Sequence, residues 1–400
     1  MKDKRAIWLF AGGEMQKIAA KKIIEQGYKL ILTDMNPDCT CSKHADEFIK
    51  LDTFDIGGNL KVAQDLKNRY SIKAVLTVAA DCHETVANVG KFLGLNVINP
   101  KISSICRFKY KTREILKNAG ILQPKFITVS NIKEAKNAAE KIGLPVVLKA
   151  TNNSGSRGFS KINHLDDLTD EVFNRAISSG TTGYAIIEEL IAPLSNEIAE
   201  QSVETLWCNG KMYWLNWVDR LFRKDFLFFD DINHNFYSDI QWGVEIGHIN
   251  PAVHDYSIKQ KVHDLIYHAG LAIGMDKEKG GHILKADIML TLNGPYIIEL
   301  TPRLSGGWDS SGSTPIRGGD FIGGAISLAL GKRLDLDLWT KYFQYKNPNL
   351  FCSVLASIRS DALDCIGRKF SAGWSFDRQK SIKNACDNLK NENYIIPLDE

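Results

Sequence analysis

The segment Gly143–Ile162 constrains the fold most, because a short apolar run ends in a lysine and leads directly into a glycine-rich loop. Such a run is typical of a buried strand, which would carry Lys149 at its end. Glycines allow main-chain N–H groups to approach an anion closely, and serine and arginine side chains add donors. The loop residues that could contact an anion in this way are Ser154, Gly155, Ser156, Arg157 and Gly158. The pattern predicts a strand that delivers one cation to a nucleotide phosphate, followed by a loop that covers the phosphate chain.

The length and net charge of the chain limit the classes of protein to which it can belong. It has 400 residues and a formal net charge of +3, which favours two or three domains and no general attraction for polyanions. We therefore expect no nucleic-acid partner and no membrane partner. No apolar segment approaches the ~18 residues of a membrane helix. The eight cysteines form no CxxC pair, so free thiols are favoured over a metal site at Cys39, Cys41 and His44. A soluble, cytoplasmic protein is expected.

Residues 1–105 alternate between short apolar runs and helical patterns, which predicts an α/β domain with a Rossmann-like parallel sheet. Asp34 follows Gly12 and Gly13 by about 20 residues, as the ribose-binding acid of a dinucleotide site does. The turn reads AGGEMQ, however, and lacks the G-x-G-x-x-G spacing. Dinucleotide binding is therefore disfavoured.

The second half of the chain contains two predicted hairpins, with turns at Asn209-Gly210 and Asn293-Gly294. Repeated hairpins indicate an antiparallel sheet, so this half is expected to be α+β. We predict a small lobe at 106–190 with the phosphate loop, a large lobe at 191–335 and a small C-terminal segment at 336–400.

The second hairpin places Asp287 on one strand and Glu299 on its neighbour. Two facing carboxylates repel unless a cation lies between them, and Mg²⁺ bound to a nucleotide is a suitable cation. Two outward-facing, solvated acids remain the alternative. Glu299 is followed by LTPRLSGG, in which Arg303 offers a planar fork for carboxylate or phosphate. A glycine-rich loop directly after a metal-type carboxylate favours a functional site.

Together these segments resemble the ATP-grasp superfamily of carboxylate–amine ligases, including carbamoyl-phosphate synthetase large chains and amino-acid ligases. The resemblance covers roughly residues 5–335. It is carried by the segments ILTDMNP, KYKTREILKNAGI, PVVLKATNNSGSRGFSKI, IIEELI, EQSVETLWCNG, GHILKADIML and YIIELTPRLSGG. It implies an N-terminal α/β domain followed by a two-lobed ATP-grasp domain, with ATP and Mg²⁺ as cofactors and Mn²⁺ as an alternative metal.

The resemblance also implies roles for individual residues. Lys109 and Lys149 would contact the phosphates, while Asp287 and Glu299 would bind the metal. Glu188 and the backbone of Glu189 and Leu190 would read the adenine edge. Glu200 would bind the ribose, with Glu197 as the fallback, and Met289 would face the adenine ring. The implied substrate and catalytic residues are Lys149, Arg303, Ser305, Gly306 and Gly307. Apart from the resemblance, Arg220 lies beside aromatic residues and could bind a second carboxylate or phosphate, with a solvated charged face as the alternative.

The activity implied is the conversion of a small-molecule carboxylate into an acylphosphate, which then reacts with an amine to give ADP and phosphate. A phosphoryl-transfer or carboxyphosphate-forming enzyme is one alternative, and a catalytically silent nucleotide-binding module is another. The family commonly has Asn two residues after the second carboxylate, whereas this chain has Thr301. That difference puts a two-metal arrangement in doubt. The resemblance also leaves a homodimer open.

Overall fold

The N-terminal region contains a four-stranded parallel sheet. The computed structural model describes residues 4–153, 157–229, 243–356, 370–391 and 393. The strands are Arg5–Phe10 (β1), Lys29–Asp34 (β2), Glu47–Lys50 (β3) and Ser71–Leu76 (β4), in the order β3-β2-β1-β4. In β1 every residue from Ala6 to Phe10 is fully buried, as expected for a parallel strand that is covered on both faces. The predicted parallel sheet is confirmed.

Twelve α-helical segments lie within the described ranges. They are Lys17–Glu25 (α1), Ile56–Arg69 (α2), His83–Phe92 (α3), Pro100–Arg107 (α4), Lys109–Asn118 (α5), Ile132–Ile142 (α6), Asp170–Ser178 (α7), Tyr256–Ile273 (α8), Thr314–Ile316 (α9), Phe321–Ala329 (α10), Leu336–Leu338 (α11) and Arg378–Lys390 (α12). Local sequence sets several of their ends. The Asn131 side chain, for example, accepts a hydrogen bond of 2.9 Å from the Glu134 N–H and so caps α6. No helix among the described residues is long and apolar enough to cross a membrane.

The small lobe is a four-stranded antiparallel sheet. Its strands are Phe126–Val129 (β5), Val146–Ala150 (β6), Ser160–Ile162 (β7) and Ala185–Glu189 (β8), in the order β5-β8-β6-β7. In the pairing of β6 with β8, Lys149 lies opposite Ile186 and Val147 lies opposite Glu188. Because side chains alternate along a strand, Lys149 and Glu188 share one face of the sheet. Helices α6 and α7 pack against the other face, with Leu148 in their core.

The large lobe is built on a seven-stranded antiparallel sheet. Its strands are Glu200–Cys208 (β9), Lys211–Leu221 (β10), Gly247–Asn250 (β11), Gly281–Thr291 (β12), Gly294–Thr301 (β13), Phe351–Ala356 (β14) and Phe370–Ser375 (β15), in the order β13-β12-β9-β10-β11-β14-β15. Both predicted hairpins are present. Asn209 and Gly210 have φ values of +51° and +77°, as the first turn requires. In the second hairpin Thr291 pairs with Gly294, so the loop begins one residue earlier than predicted.

The C-terminal residues extend this sheet. Strand β14 pairs with β11 of the large lobe, β15 pairs with β14, and α12 packs on both. Arg378 at the start of α12 forms an ion pair of 2.5 Å with the fully buried Asp219 of β10. The predicted division of the chain at residue 335 therefore does not coincide with a break in the sheet.

The N-terminal sheet and the large lobe share one hydrophobic core. Ile7 and Leu9 of β1 belong to the same buried cluster as Leu206, Leu304 and Phe321. This packing brings the carboxyl ends of β1 and β4 against the loop that follows β13. Residues 79–81, after β4, therefore lie next to residues 302–307.

Candidate functional site

Lys109 connects three parts of the molecule. It begins α5, and its ammonium donates hydrogen bonds of 2.8 Å to Oε1 of Glu299 and 2.7 Å to the carbonyl oxygen of Asn153. Its main-chain N–H also donates to the carbonyl oxygen of Thr151, at 2.8 Å. Burial would raise the pKa of Glu299, but the neighbouring Lys109 lowers it below the usual value. The first predicted phosphate lysine thus lies between a predicted metal ligand and the start of the glycine-rich loop.

The second predicted phosphate lysine is held by a buried carboxylate. Lys149 donates to Oε2 of Glu188 at 2.7 Å, and Arg113 donates to Oε1 at 2.6 Å. Glu188 is fully buried. Burial alone would raise its pKa, but Arg113 and Lys149 outweigh burial and lower the pKa to about 2. Arg113 also donates to the carbonyl oxygens of Ile297 and Ile298 in β13, at 3.1 and 2.8 Å, and so ties the small lobe to the large lobe.

Asp287 and Glu299 lie directly opposite each other in the pairing of β12 with β13. The ammonium of Lys285 lies 2.7 Å from Oδ1 of Asp287 and 2.8 Å from Oδ2. Oδ1 is buried, and its contact with Lys285 does not have hydrogen-bond geometry. Burial raises the pKa of Asp287, but Arg220 and Lys285 lower it overall. The two carboxylates thus face each other, with a lysine beside each.

Arg220 is surrounded by carboxylates. Its guanidinium lies 2.8 Å from Glu200, 2.6 Å from Glu245 and 3.2 Å from Asp287. Burial, together with the negative charges of Asp287 and Glu245, raises the pKa of Glu200 to about 7 in spite of Arg220. Arg220 is therefore part of this charged cluster and not of a solvated surface. Glu200, the predicted ribose ligand, is its ion-pair partner.

The donor atoms at Asp287 and Glu299 suit a hard divalent cation such as Mg²⁺, which prefers carboxylate oxygens. Oδ1 of Asp287 is a buried acceptor that lacks a hydrogen bond. Among the described residues, no three His, Cys, Asp or Glu side chains gather in a way that could hold a metal ion. A cation here would need further oxygen ligands from a phosphate or from water. Thr301 is buried near them, opposite Lys285 in the hairpin.

Arg303 extends the site to the N-terminal domain. Its Nε and Nη2 donate to Oδ1 of Asp81 at 3.1 and 2.5 Å, and its Nη1 donates to the carbonyl oxygen of Leu304 at 2.7 Å. Burial lowers the pKa of Arg303, but Asp81 raises it above the usual value overall. The guanidinium thus remains a cation at the contact between the domains.

The loop after Arg303 lies against the residues that follow β4. The Ser305 N–H donates to Oε1 of the buried Glu204 at 2.7 Å. A Cβ atom at Gly306 would lie 3.5 Å from the carbonyl oxygen of Ala79. Gly307 has a φ of +64°, a conformation that favours glycine. The Ser305 N–H is thus engaged by Glu204, whereas the main chain at Gly306 and Gly307 could approach a ligand closely, and the predicted roles of all three residues stay predictions.

The residues expected around the nucleoside lie at the junction of the lobes. The Glu189 N–H donates to the carbonyl oxygen of Lys125 at 2.9 Å, and Leu190 directly follows β8. Met289 is half-buried on β12, opposite Glu200 of β9. The roles of Glu189, Leu190 and Met289 in binding the nucleoside stay predictions.

The phosphate loop is described in part. Ser154, Gly155 and Ser156 lie outside the described residues. Arg157 is exposed, and Gly158 is buried with a φ of +71°. A Cβ atom at Gly158 would lie 2.7 Å from the side chain of Ser179. A larger residue at 158 would therefore be strained.

Sequence reasoning missed Arg113, Lys285, Asp81 and Glu245. Arg113 could have been found, because it follows Lys109 by four residues in a predicted helix and so lies on the same helix face. Lys285 likewise lies on the same strand face as Asp287. Asp81 and Glu245 carry no local signal, since they reach their partners only through the tertiary fold.

Comparison with known proteins agrees with this architecture. Residues 109–196 match the family described as carbamoyl-phosphate synthase L chain, ATP binding domain. The carbamoyl phosphate synthase large chain of Pseudothermotoga lettingae is 27% identical over 161 residues, which are 39% of this chain and 14% of that protein. The chain thus spans only a small part of the length of this relative.

Solved structures match over most of the chain. An ADP complex of N5-carboxyaminoimidazole ribonucleotide synthetase has a TM-score of 0.70 at 15% identity and covers 98% of both chains. The L-amino acid ligase from Bacillus licheniformis has a TM-score of 0.67 at 18% identity and covers 90% of this chain and 82% of that one. At these identities the likeness shows a common fold.

Proposed function

We propose that the chain is a member of the ATP-grasp superfamily and that it is an ADP-forming ligase that joins a small-molecule carboxylate to an amine. The observation that carries the proposal is that two lysines, one from α5 and one from β6, are linked to two carboxylates of the β12–β13 hairpin. Lys109 lies 2.8 Å from Glu299, which faces Asp287 across the hairpin. Lys149 is linked to the same hairpin through Glu188 and Arg113.

In the proposed reaction a carboxylate oxygen of the acid attacks the γ-phosphorus of ATP, and ADP leaves. The amine nitrogen then attacks the acyl carbon, phosphate leaves, and the amine loses a proton. Phosphoryl transfer requires neutralisation of charge more than covalent help from the protein. A bound Mg²⁺ would supply part of that neutralisation.

Each residue has a role that follows from its position. Asp287 and Glu299 would hold the cation, and Lys109 and Lys149 would hold phosphate oxygens. Arg303 would orient the acid, because it remains a cation next to the glycine-rich turn. The loop at 151–159 would exclude water, which otherwise hydrolyses an acylphosphate. Glu188, whose oxygens are occupied by two cations, would position Lys149 and not read the base.

The first test is the release of ADP from ATP and Mg²⁺ in the presence of paired acids and amines. A ligase should release ADP only when both partners are present, and it should form the amide in equal amount. ADP formed with an acid or bicarbonate alone would support the carboxyphosphate-forming alternative. Nucleotide binding without turnover would support the silent module.

We predict that Lys149→Ala abolishes ligase turnover or weakens nucleotide binding while the fold remains intact. Glu188 keeps its hydrogen bond to Arg113 in this variant, so the buried charge stays paired. Calorimetric titration with ADP and Mg²⁺ should show a loss of affinity of about 10-fold or more, as expected for one charge-assisted phosphate contact. Lys141→Ala, at an exposed position on α6, is the matched control. Normal affinity and turnover in Lys149→Ala would remove Lys149 from the site.

A further inference from the structure

A cavity lies between the N-terminal domain and the large lobe, next to Arg303. Its volume is about 100 Å³, and its walls come from β4, α3, the start of β12, α10 and residues 302–304. Most of the lining is apolar. The side chains that matter here are Val75, Val86, Val97, Ile283, Leu328 and Ala329.

The polar groups in the lining are held by the protein itself. Asn96 donates to the carbonyl oxygen of Leu328 at 2.7 Å, and Thr77 accepts from Gln16 at 3.0 Å. Nδ1 of His83 pairs with Ser103 at 2.7 Å, and Nε2 of His282 pairs with the carbonyl oxygen of Lys279 at 2.8 Å. Burial lowers the pKa of both histidines, that of His83 to about 3, so both rings are neutral.

Arg303 is therefore the charged side chain at this cavity. Its contacts with Asp81 and Leu304 use three of the five guanidinium N–H groups. Within the described ranges the other two N–H groups have no hydrogen-bond partner and could serve a ligand. A cation beside an apolar, neutral cavity fits a carboxylate whose side chain is uncharged. A second charge in the cavity would be buried without a partner, which is costly.

We propose that this cavity, the side-chain cavity, selects the acid substrate by taking an uncharged aliphatic side chain of about leucine size. Arg303 holds the carboxylate of the same molecule. The size follows from the volume, since a cavity of ~150 Å³ is known to hold benzene and this one is smaller. The inference rests on the proposed function and adds the substrate class to it.

The test is a series of amino acids, because each one supplies both a carboxylate and an amine. ADP release is measured with glycine, alanine, valine, leucine, aspartate and lysine in the presence of ATP and Mg²⁺. Each buried methylene should raise kcat/KM about fourfold, so leucine should exceed alanine by about 50-fold. Aspartate and lysine should be poor substrates. Equal kcat/KM for alanine and leucine would overturn the inference while leaving the proposed function intact.

Filling the cavity provides a second arm. Ala329→Leu places extra atoms at a half-buried lining position, and Ala272→Leu makes the same change at a half-buried position of α8 outside the lining. Ala329→Leu should lower kcat/KM for leucine at least 10-fold and leave that for alanine within about threefold. The control should change neither. A uniform loss for all acids in Ala329→Leu, or none for leucine, would contradict the assignment.

A binding measurement separates the inference from the reaction class. Leucine and 4-methylpentanoate are titrated into the wild-type protein and Ala329→Leu in the presence of ADP and Mg²⁺. Binding that is lost in Ala329→Leu would support the side-chain cavity even if no amino acid releases ADP, in which case the ligase proposal alone fails. Absence of binding and of ADP release with every member of the series would overturn both.

Discussion

Glu188 in the small lobe is fully buried. Each of its two carboxylate oxygens faces a different cation. Desolvation disfavours the ionised carboxylate, but Arg113 and Lys149 outweigh it, so the group stays ionised down to a pH of about 2. Arg113 is itself 2% exposed and depends on Glu188 as its charged partner. Glu188 therefore fixes the direction in which the Lys149 ammonium points.

We predict that Glu188→Gln lowers the free energy of unfolding by about 3–5 kcal/mol at pH 7, because it leaves a buried guanidinium without a charged partner. The folded-state pKa of Glu188 lies below its ordinary value of 4.5. Its contribution is therefore complete above pH 4.5 and is lost as the pH falls through about 2. Urea unfolding of both proteins should show their difference shrinking over that window.

The matched control for this change is Glu140→Gln, which removes an exposed carboxylate from α6 of the same lobe. Its effect should stay within about 0.5 kcal/mol at every pH. A difference between wild type and Glu188→Gln that does not depend on pH would show that packing, and not charge, explains the loss.

Helix α5 and the β12–β13 hairpin meet through Lys109 and Glu299, which the sequence assigns to two different ligands. One would contact phosphate and the other a metal ion, yet they pair with each other at 2.8 Å. Neither can serve its ligand fully until the pair opens. A cation that engages Glu299 would release Lys109 for phosphate, so metal and nucleotide should bind cooperatively.

We predict that Glu299→Gln makes nucleotide binding less dependent on Mg²⁺. In EDTA the variant should bind ADP about 10-fold more tightly than the wild type, because Lys109 is released and one negative charge is gone. With saturating Mg²⁺ the order should reverse, since a metal ligand is lost. Calorimetric titrations under the two conditions measure both affinities. Parallel changes of affinity in EDTA and in Mg²⁺ would exclude the coupling.

The N-terminal domain and the large lobe are joined by a shared core and by the ion pair of Arg303 with Asp81. The shared core is apolar and sets the distance between the domains. The ion pair is polar and orients the side chain of Arg303. Asp81 lies five residues after the end of β4, so the N-terminal domain contributes to the site through the loop that follows its edge strand.

We predict that Asp81→Asn lowers kcat about 10-fold or more and leaves the affinity for ADP within about twofold. Arg303 keeps its charge but loses the partner that orients it, whereas the predicted phosphate contacts belong to Lys109 and Lys149. The variant should also lose about 1–3 kcal/mol of stability, since the pair is largely buried. Steady-state kinetics, ADP titration and urea unfolding measure these effects.

Asp65→Asn is the control, because it removes a carboxylate from an exposed ion pair with Arg69 in the same domain. Exposed pairs contribute little, so neither kcat nor stability should change measurably. If Asp81→Asn weakened ADP binding as strongly as it lowered kcat, the orienting role of Asp81 would be wrong.

Much of the architecture follows from local sequence patterns. Some elements can be predicted because hydrophobic periodicity, helix capping and turn sequence depend on only a few neighbouring residues. They include strand β6, the helix that begins at Lys109 and the turn at Asn209-Gly210. Strands β11 and β14 are not visible in this way, since each is short and pairs with residues distant in the chain. The same holds in the site: strand pairing brings Asp287 opposite Glu299, whereas Arg113 reaches Glu188 and Asp81 reaches Arg303 only through tertiary packing.

The incorporation of β14 and β15 into the large sheet has a practical consequence for anyone who shortens this polypeptide. A chain that ends at residue 335 would lack β14, so the main-chain groups of Gly247–Asn250 that pair with β14 would have no partner strand. It would also lack α12. An edge strand with unpaired main-chain groups tends to pair with strands of other molecules. The truncated protein would therefore be expected to precipitate, and a shorter version of the protein is better sought by trimming elsewhere.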